Sequence, residues 1–159
     1  PFCNYIQRGS RSLNLLGENS MAAIPITPAN LRLSTNASTS TATAGETITP
    51  FQLVYRAANG KLLKAVNSSL LEATFLGVAI TYAAVDEQIG YVPVSQGGGT
   101  LLESASADFT KGEVYCISDT AGQMFPAGDI GSGDYVTIAA YAISTTELLM
   151  LNTQTGYAA

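Results

Sequence analysis

The residues best suited to chemistry are two carboxylates in a glycine-rich stretch, Asp129 and Asp134 of GDIGSGD at 128–134. Such a loop has oxygen ligands to offer a hard cation such as Ca²⁺. The two side chains, with Asp119 nearby, could also work as an acid–base pair. Asp beside Gly more commonly closes a turn, with its carboxylate accepting a backbone N–H while Gly supplies the unusual φ. No metal ligand and no catalytic residue is assigned on this spacing.

Other reactive groups are scarce. The chain contains no His, which removes the usual neutral-pH base and with it Ser-His-Asp and Cys-His arrangements. Neither a nucleophile elbow nor a phosphate-binding P-loop is written in the sequence. The triple glycine at 97–99 leads into Thr-Leu-Leu, not into a helix whose N-terminus could hold phosphate. Cys3 and Cys116 are the two cysteines, too few for a disulfide framework or a zinc site. Cys116, inside EVYCIS, reads as a buried strand thiol. The expectation is a protein that is not an enzyme and needs no cofactor.

Composition narrows the partners. Only seven Lys and Arg stand against twelve Asp and Glu, for a net charge of −5. No basic cluster exists to neutralise a phosphate backbone, so nucleic acid is not an expected partner. An anionic membrane surface is disfavoured for the same reason, and no apolar run reaches the ~18 residues of a spanning helix. Apolar residues make up 47% and charged ones 12%, so a folded core is affordable and the surface must be built from Ser, Thr, Asn, Gln and Gly.

The elements that carry these residues read as strands. Gln52–Ala57 and Leu62–Ala65 flank Asn59-Gly60, a pair that a tight hairpin turn prefers. Apolar runs follow at 75–84, with Val78, Ile80 and Tyr82 on one face, and at 88–95, where Pro93 marks a sheet edge or strand end. Further strands are expected at 112–118, 135–144 and 146–153, and one short capped turn within 67–75. Turn signals every 8–12 residues indicate an all-β sandwich or small barrel. Most strand tyrosines (Tyr55, Tyr82, Tyr91, Tyr115, Tyr135, Tyr141) are expected in the core.

One phrase is written twice. ITPFQLVYRAANGK at 48–61 is echoed by FTKGEVYCISDTAGQ at 109–123. Thr49, Val54, Tyr55, Gly60 and Ala65 align by sequence with Thr110, Val114, Tyr115, Gly122 and Ala127, and LGVAIT (76–81) with AAYAIS (139–144). The expected architecture is therefore two pseudo-repeated hairpin-plus-strand halves that cover each other, since a lone hairpin is marginal in water.

The N-terminal part reads differently. Residues 1–20 carry two Arg and precede Met21, with Gly17-Glu18 at the spacing of a ribosome-binding site. They are expected to be leader sequence ahead of the true start, or else a disordered arm. Residues 21–44 are expected to form an extended arm and linker, its 34–45 portion being almost wholly small and polar, and 45–159 the β domain. The apolar part of the arm supplies the candidate contact residues: Ile24, Pro25, Ile26, Leu31, Arg32 and Leu33. Strand addition onto a partner would let such an arm use backbone hydrogen bonds for affinity.

The stretches AGETITPFQLVYRAANGKLLKA, LGVAITYAAVDEQIGYVPVSQGG and FTKGEVYCISDTAGQMFPAGDIGSGDYVTIAAYAIS, with the closing LLMLN, resemble the capsid decoration proteins of tailed bacteriophages, also called cement or head-fibre proteins. The resemblance covers about residues 44–159. It implies an all-β domain on the outer surface of the virion capsid, bound to the major capsid protein. It further implies a homo-oligomer, a trimer being favoured, at local symmetry axes. The alternative is a tail or receptor-binding β module whose tyrosines near 96–100 and 128–134 contact host glycans.

Overall fold

The computed structural model describes residues 31–33, 37–95, 100–105 and 109–158. Within them the chain is all-β, with eleven strands in two antiparallel sheets. The strands are β1 (Leu31–Leu33), β2 (Ser40–Thr43), β3 (Leu53–Arg56), β4 (Leu62–Lys64), β5 (Phe75–Ala79) and β6 (Gln88–Pro93). Then come β7 (Thr100–Ser104), β8 (Val114–Ile117), β9 (Met124–Pro126), β10 (Tyr135–Ala142) and β11 (Glu147–Ala158). A 3₁₀ turn, Ala127–Asp129, follows β9.

The two sheets share one wiring diagram. The five-stranded order is β2-β6-β5-β3-β4, and the six-stranded order is β7-β11-β10-β8-β9 with β1 added outside β7. The equivalence extends to register. Leu53–Val78, Val54–Gly77 and Tyr55–Phe75 in the first repeat match Val114–Tyr141, Tyr115–Ala140 and Cys116–Ile138 in the second. Both pairings carry a bulge at the same step. Likewise Val78–Val92 matches Tyr141–Leu149. The duplication is thus real at the level of hydrogen bonds. The sequence alignment of Val54 with Val114 and Tyr55 with Tyr115 is off by one: Leu53 holds the place of Val114, and the turn and strand run from Thr49 and Thr110 without a gap. Val54 stands where Tyr115 does, and their side chains face equivalent interiors.

The repeats differ in how their edges are finished. In the first, the chain leaving β2 meets β4 through a parallel bridge, Ala44–Leu62, with the Gly45 N–H donating to the Leu62 carbonyl at 2.8 Å. The five strands therefore curl until their outer members touch, enclosing Ala44, Ile48, Val54, Leu62, Ala79, Ala83, Ile89 and Tyr91. Lys61–Asp86 and Lys64–Glu46 ion pairs flank that seam. In the second repeat β7 pairs instead with β1, and the sheet stays open among the described residues.

The main core lies between the repeats. The outer face of the curled sheet gives Leu53, Tyr55, Phe75, Val78 and Val94, and the inner face of the six-stranded sheet gives Leu102, Tyr115, Ile117, Met124, Leu148 and Met150. Backbone bonds stitch the same boundary. Leu53 N–H donates to Gly122 O at 2.9 Å, Gly122 N–H to Ala65 O at 2.7 Å, and Asn67 N–H to Ser118 O at 3.1 Å. Two side chains add to them: Thr137 Oγ1–H donates to Ala73 O at 2.9 Å, and Asn152 Nδ2–H to Phe75 O at 2.7 Å.

Three expectations are corrected here. The linker expected over 34–45 contains β2, and Ala44 is fully buried. The β body therefore starts before residue 45. Small residues suffice for this strand because its inward positions, Ala42 and Ala44, pack against large side chains such as Ile48, Leu62 and Ile89, while Thr at the outward positions favours the extended backbone. The expected strand 75–84 stops at Ala79, and 80–87 is a loop in which Tyr82 is 59% exposed. Finally, β7 at 100–104 was not expected as a strand.

Candidate interaction surface

Of the six candidate contact residues, Ile24, Pro25 and Ile26 lie outside the described residues. Leu31–Leu33 form β1, paired antiparallel with β7 as Leu31–Ser104, Arg32–Glu103 and Leu33–Leu102. Their strand pairing on that side is made within the chain, which corrects the expectation of a free arm at these positions. Leu33 packs on the main core, as a residue in register with buried Leu102 must. Arg32 is exposed and sits opposite the exposed Glu103.

The acidic loop does the turn-closing job. Asp134 Oδ2 accepts the Gly131 N–H at 2.8 Å, and Asp119 Oδ1 accepts from the Ser118 and Thr120 hydroxyls at 3.0 and 3.3 Å. Asp129 is exposed. Among the described residues no three acidic or cysteine side chains come together in a metal-ligand group. The tyrosines divide: Tyr55, Tyr91 and Tyr115 are buried, Tyr135 is half-buried, and Tyr82 and Tyr141 are exposed.

What the sequence reading missed is a face. Strand alternation sends Ala140, Ala142, Leu148 and Met150 inward to the core, so the residues between them point outward. Those are Tyr141, 38% exposed, with half-buried Leu149 and Leu151. Val114 on β8 is directly across from Tyr141, and Ile138 is the next outward residue along β10. A solvated face of an antiparallel sheet normally alternates to polar residues. This one presents five apolar side chains over three adjacent strands. Toward β9 the same face is already covered: Cys116 and Phe125 are paired with each other and fully buried beside the 3₁₀ turn.

Electrostatics on the body are muted. Burial pushes the Cys116 thiol up to about 11, so it stays protonated and inert at neutral pH. Tyr55 is also raised, first by burial and then by the nearby Glu72 and Glu46 carboxylates. Glu72 is held below its ordinary value by hydrogen bonds from Ser68 and Ser69, which outweigh its partial burial.

Comparison of the chain with protein-family models, with curated proteins and with solved structures found no match.

Proposed function

We propose that this chain is a structural virion protein that binds the outer capsid surface and stabilises the shell, acting as a homo-oligomer and not as an enzyme. The observation that carries the reading is the duplicated β body, in which one repeat covers the other. Two repeats covering each other give a stiff unit, and a stiff unit loses little conformational entropy on docking. Charged residues make up only 12% of the chain, which keeps the desolvation cost of docking low. Many copies on a shell then multiply a modest affinity per copy.

In this reading Ile24, Pro25 and Ile26 reach the major capsid protein. They precede β1, at the outer side of the six-stranded sheet, where a further extended segment has an edge to join among the described strands. The direct test is co-sedimentation of the purified full-length chain with capsid shells that lack it. Saturable binding, weakened by Ile24→Asp with Ile26→Asp, is expected. Shells that pellet without the chain would reject the proposal. Retention of the chain on a glycan array, lost on replacing half-buried Tyr135 beside the 128–134 loop, would favour the receptor-binding alternative.

A further inference from the structure

We propose that the outward face of the six-stranded sheet is a homodimer interface, covered by the same face of a second copy. The internal duplication carries the argument. In the first repeat, Leu53, Phe75, Val78, Val92 and Val94 are buried, four of them in the core shared with the second repeat. The same register positions in the second repeat hold Val114, Ile138, Tyr141, Leu149 and Leu151. All five stay apolar although none is fully buried. The sequence keeps the chemistry of a covered face where, among the described residues, the cover is incomplete.

The duplication also says what the cover is. In the first repeat it is a β-sheet face of the sister repeat. That inner face is already occupied in the second repeat, and in the first it is closed inside the barrel around Ile48 and Leu62. Among the described residues, the apolar sheet face a second copy still has free is therefore this outward one. Like meets like only about a two-fold axis, so the contact is isologous. Strands β7, β11, β10 and β8, spaced ~4.8 Å apart and averaging about seven residues, offer a projected face of roughly 500 Å². That is the scale of the ~800 Å² of accessible surface each partner buries in a standard interface. Two such sheets stack about 10 Å apart, as in any β-sandwich.

Sedimentation equilibrium of the full-length chain up to ~100 µM, enough to populate a dimer of micromolar Kd, is the test. Even-numbered species are expected, changed little by added salt because the Tyr141 row is apolar and the charges of Arg32, Glu103 and Glu147 lie in a row beside it. Tyr141→Asp should shift the mass to monomer at unchanged circular dichroism, and Tyr141→Ser should weaken the dimer at least tenfold if the charged variant does not fold. Tyr82→Asp, on the exposed loop, should leave the dimer intact. A wild-type monomer at the highest loading overturns the proposal, as does a trimer, or an oligomer that ignores both Tyr141 variants. Cross-links within a monomer from the Tyr141 face to residues 22–30 would also overturn it, by assigning the face to the chain's own N-terminal segment.

Discussion

Phe51 and Gly112 occupy the same backbone post in the two repeats. Their φ angles are 70° and 86°. Each donates its N–H to a strand alanine, Phe51 to Ala79 at 2.6 Å and Gly112 to Ala142 at 2.9 Å. Each is the third residue of a turn, Thr49-Pro50-Phe51-Gln52 or Thr110-Lys111-Gly112-Glu113, in which positive φ is required. Glycine meets that requirement freely, while phenylalanine meets it under strain held in place by packing on the core.

Replacing Phe51 should therefore invert the usual order of glycine and alanine. Phe51→Ala loses the packing and keeps the strain. Phe51→Gly loses the packing and releases it, and should be more stable than the alanine variant by about 1 kcal/mol. Gly112→Ala, with no atom near its added Cβ, should cost about the same 1 kcal/mol as pure backbone strain. Urea unfolding of the three variants checks both statements; an alanine variant as stable as glycine at position 51 would refute the first.

Gly77 faces a different constraint. A Cβ there would lie 2.2 Å from the Val92 carbonyl oxygen, a backbone atom that cannot swing away. Gly77→Ala should destabilise by about 3 kcal/mol or more, in the range reserved for overpacking and strain. The equivalent position in the second repeat already carries Ala140, so Ala140→Gly should be far milder. Thermal melts of the pair give the comparison.

Phe75 and Ile138 test the duplicated face. Phe75 is in the main core and Ile138 is its outward, half-buried counterpart. Phe75→Ala should cost about 3–5 kcal/mol. Ile138→Ala should cost less than half of that, measured at a dilution where the chain is monomeric. Equal losses would mean that the outward face is as fully covered as the core.

Stability should also fall in alkali. Cys116 and Tyr55 both hold their protons more tightly folded than unfolded, so their contribution is intact below the unfolded values. For Cys116 it is lost as pH rises from about 9 to about 11. Cys116→Ala should flatten the decline in urea midpoint over that window, and Tyr55→Phe the decline at pH values above about 10. In a Cys3→Ser background, native Cys116 should resist a thiol reagent at neutral pH and react on unfolding.

Glu72 runs the other way. Its lowered value means that stability is present above the ordinary carboxylate range and is lost as pH falls through the folded value. Removing its donors with Ser68→Ala and Ser69→Ala should reduce the acid sensitivity of the midpoint. Acid titrations that superimpose on wild type would show that these hydrogen bonds do not persist in solution.

The all-β class was legible in the chain because strand signals are local. Alternating apolar residues, Asn-Gly at 59–60 and the Gly-rich turn at 128–134 all report on a few neighbours at once. The doubled phrase was legible for the same reason: the two turns, TPFQ and TKGE, both put a positive φ at their third residue. What short-range pattern could not hold was pairing between distant segments. Strand β2 is made of Ser, Thr and Ala and looks like a linker until β6 supplies its hydrogen-bond partners. Leu31–Leu33 looks like a free arm until β7 claims it. That Val54 answers to Tyr115 and not to Val114 is masked by the shared Val-Tyr pair, and only cross-strand register exposes it. The fate of the two equivalent faces is of the same kind. Val78 and Tyr141 are apolar alike in the sequence, and only the stacking of one repeat on the other buries the first and leaves the second turned to solvent.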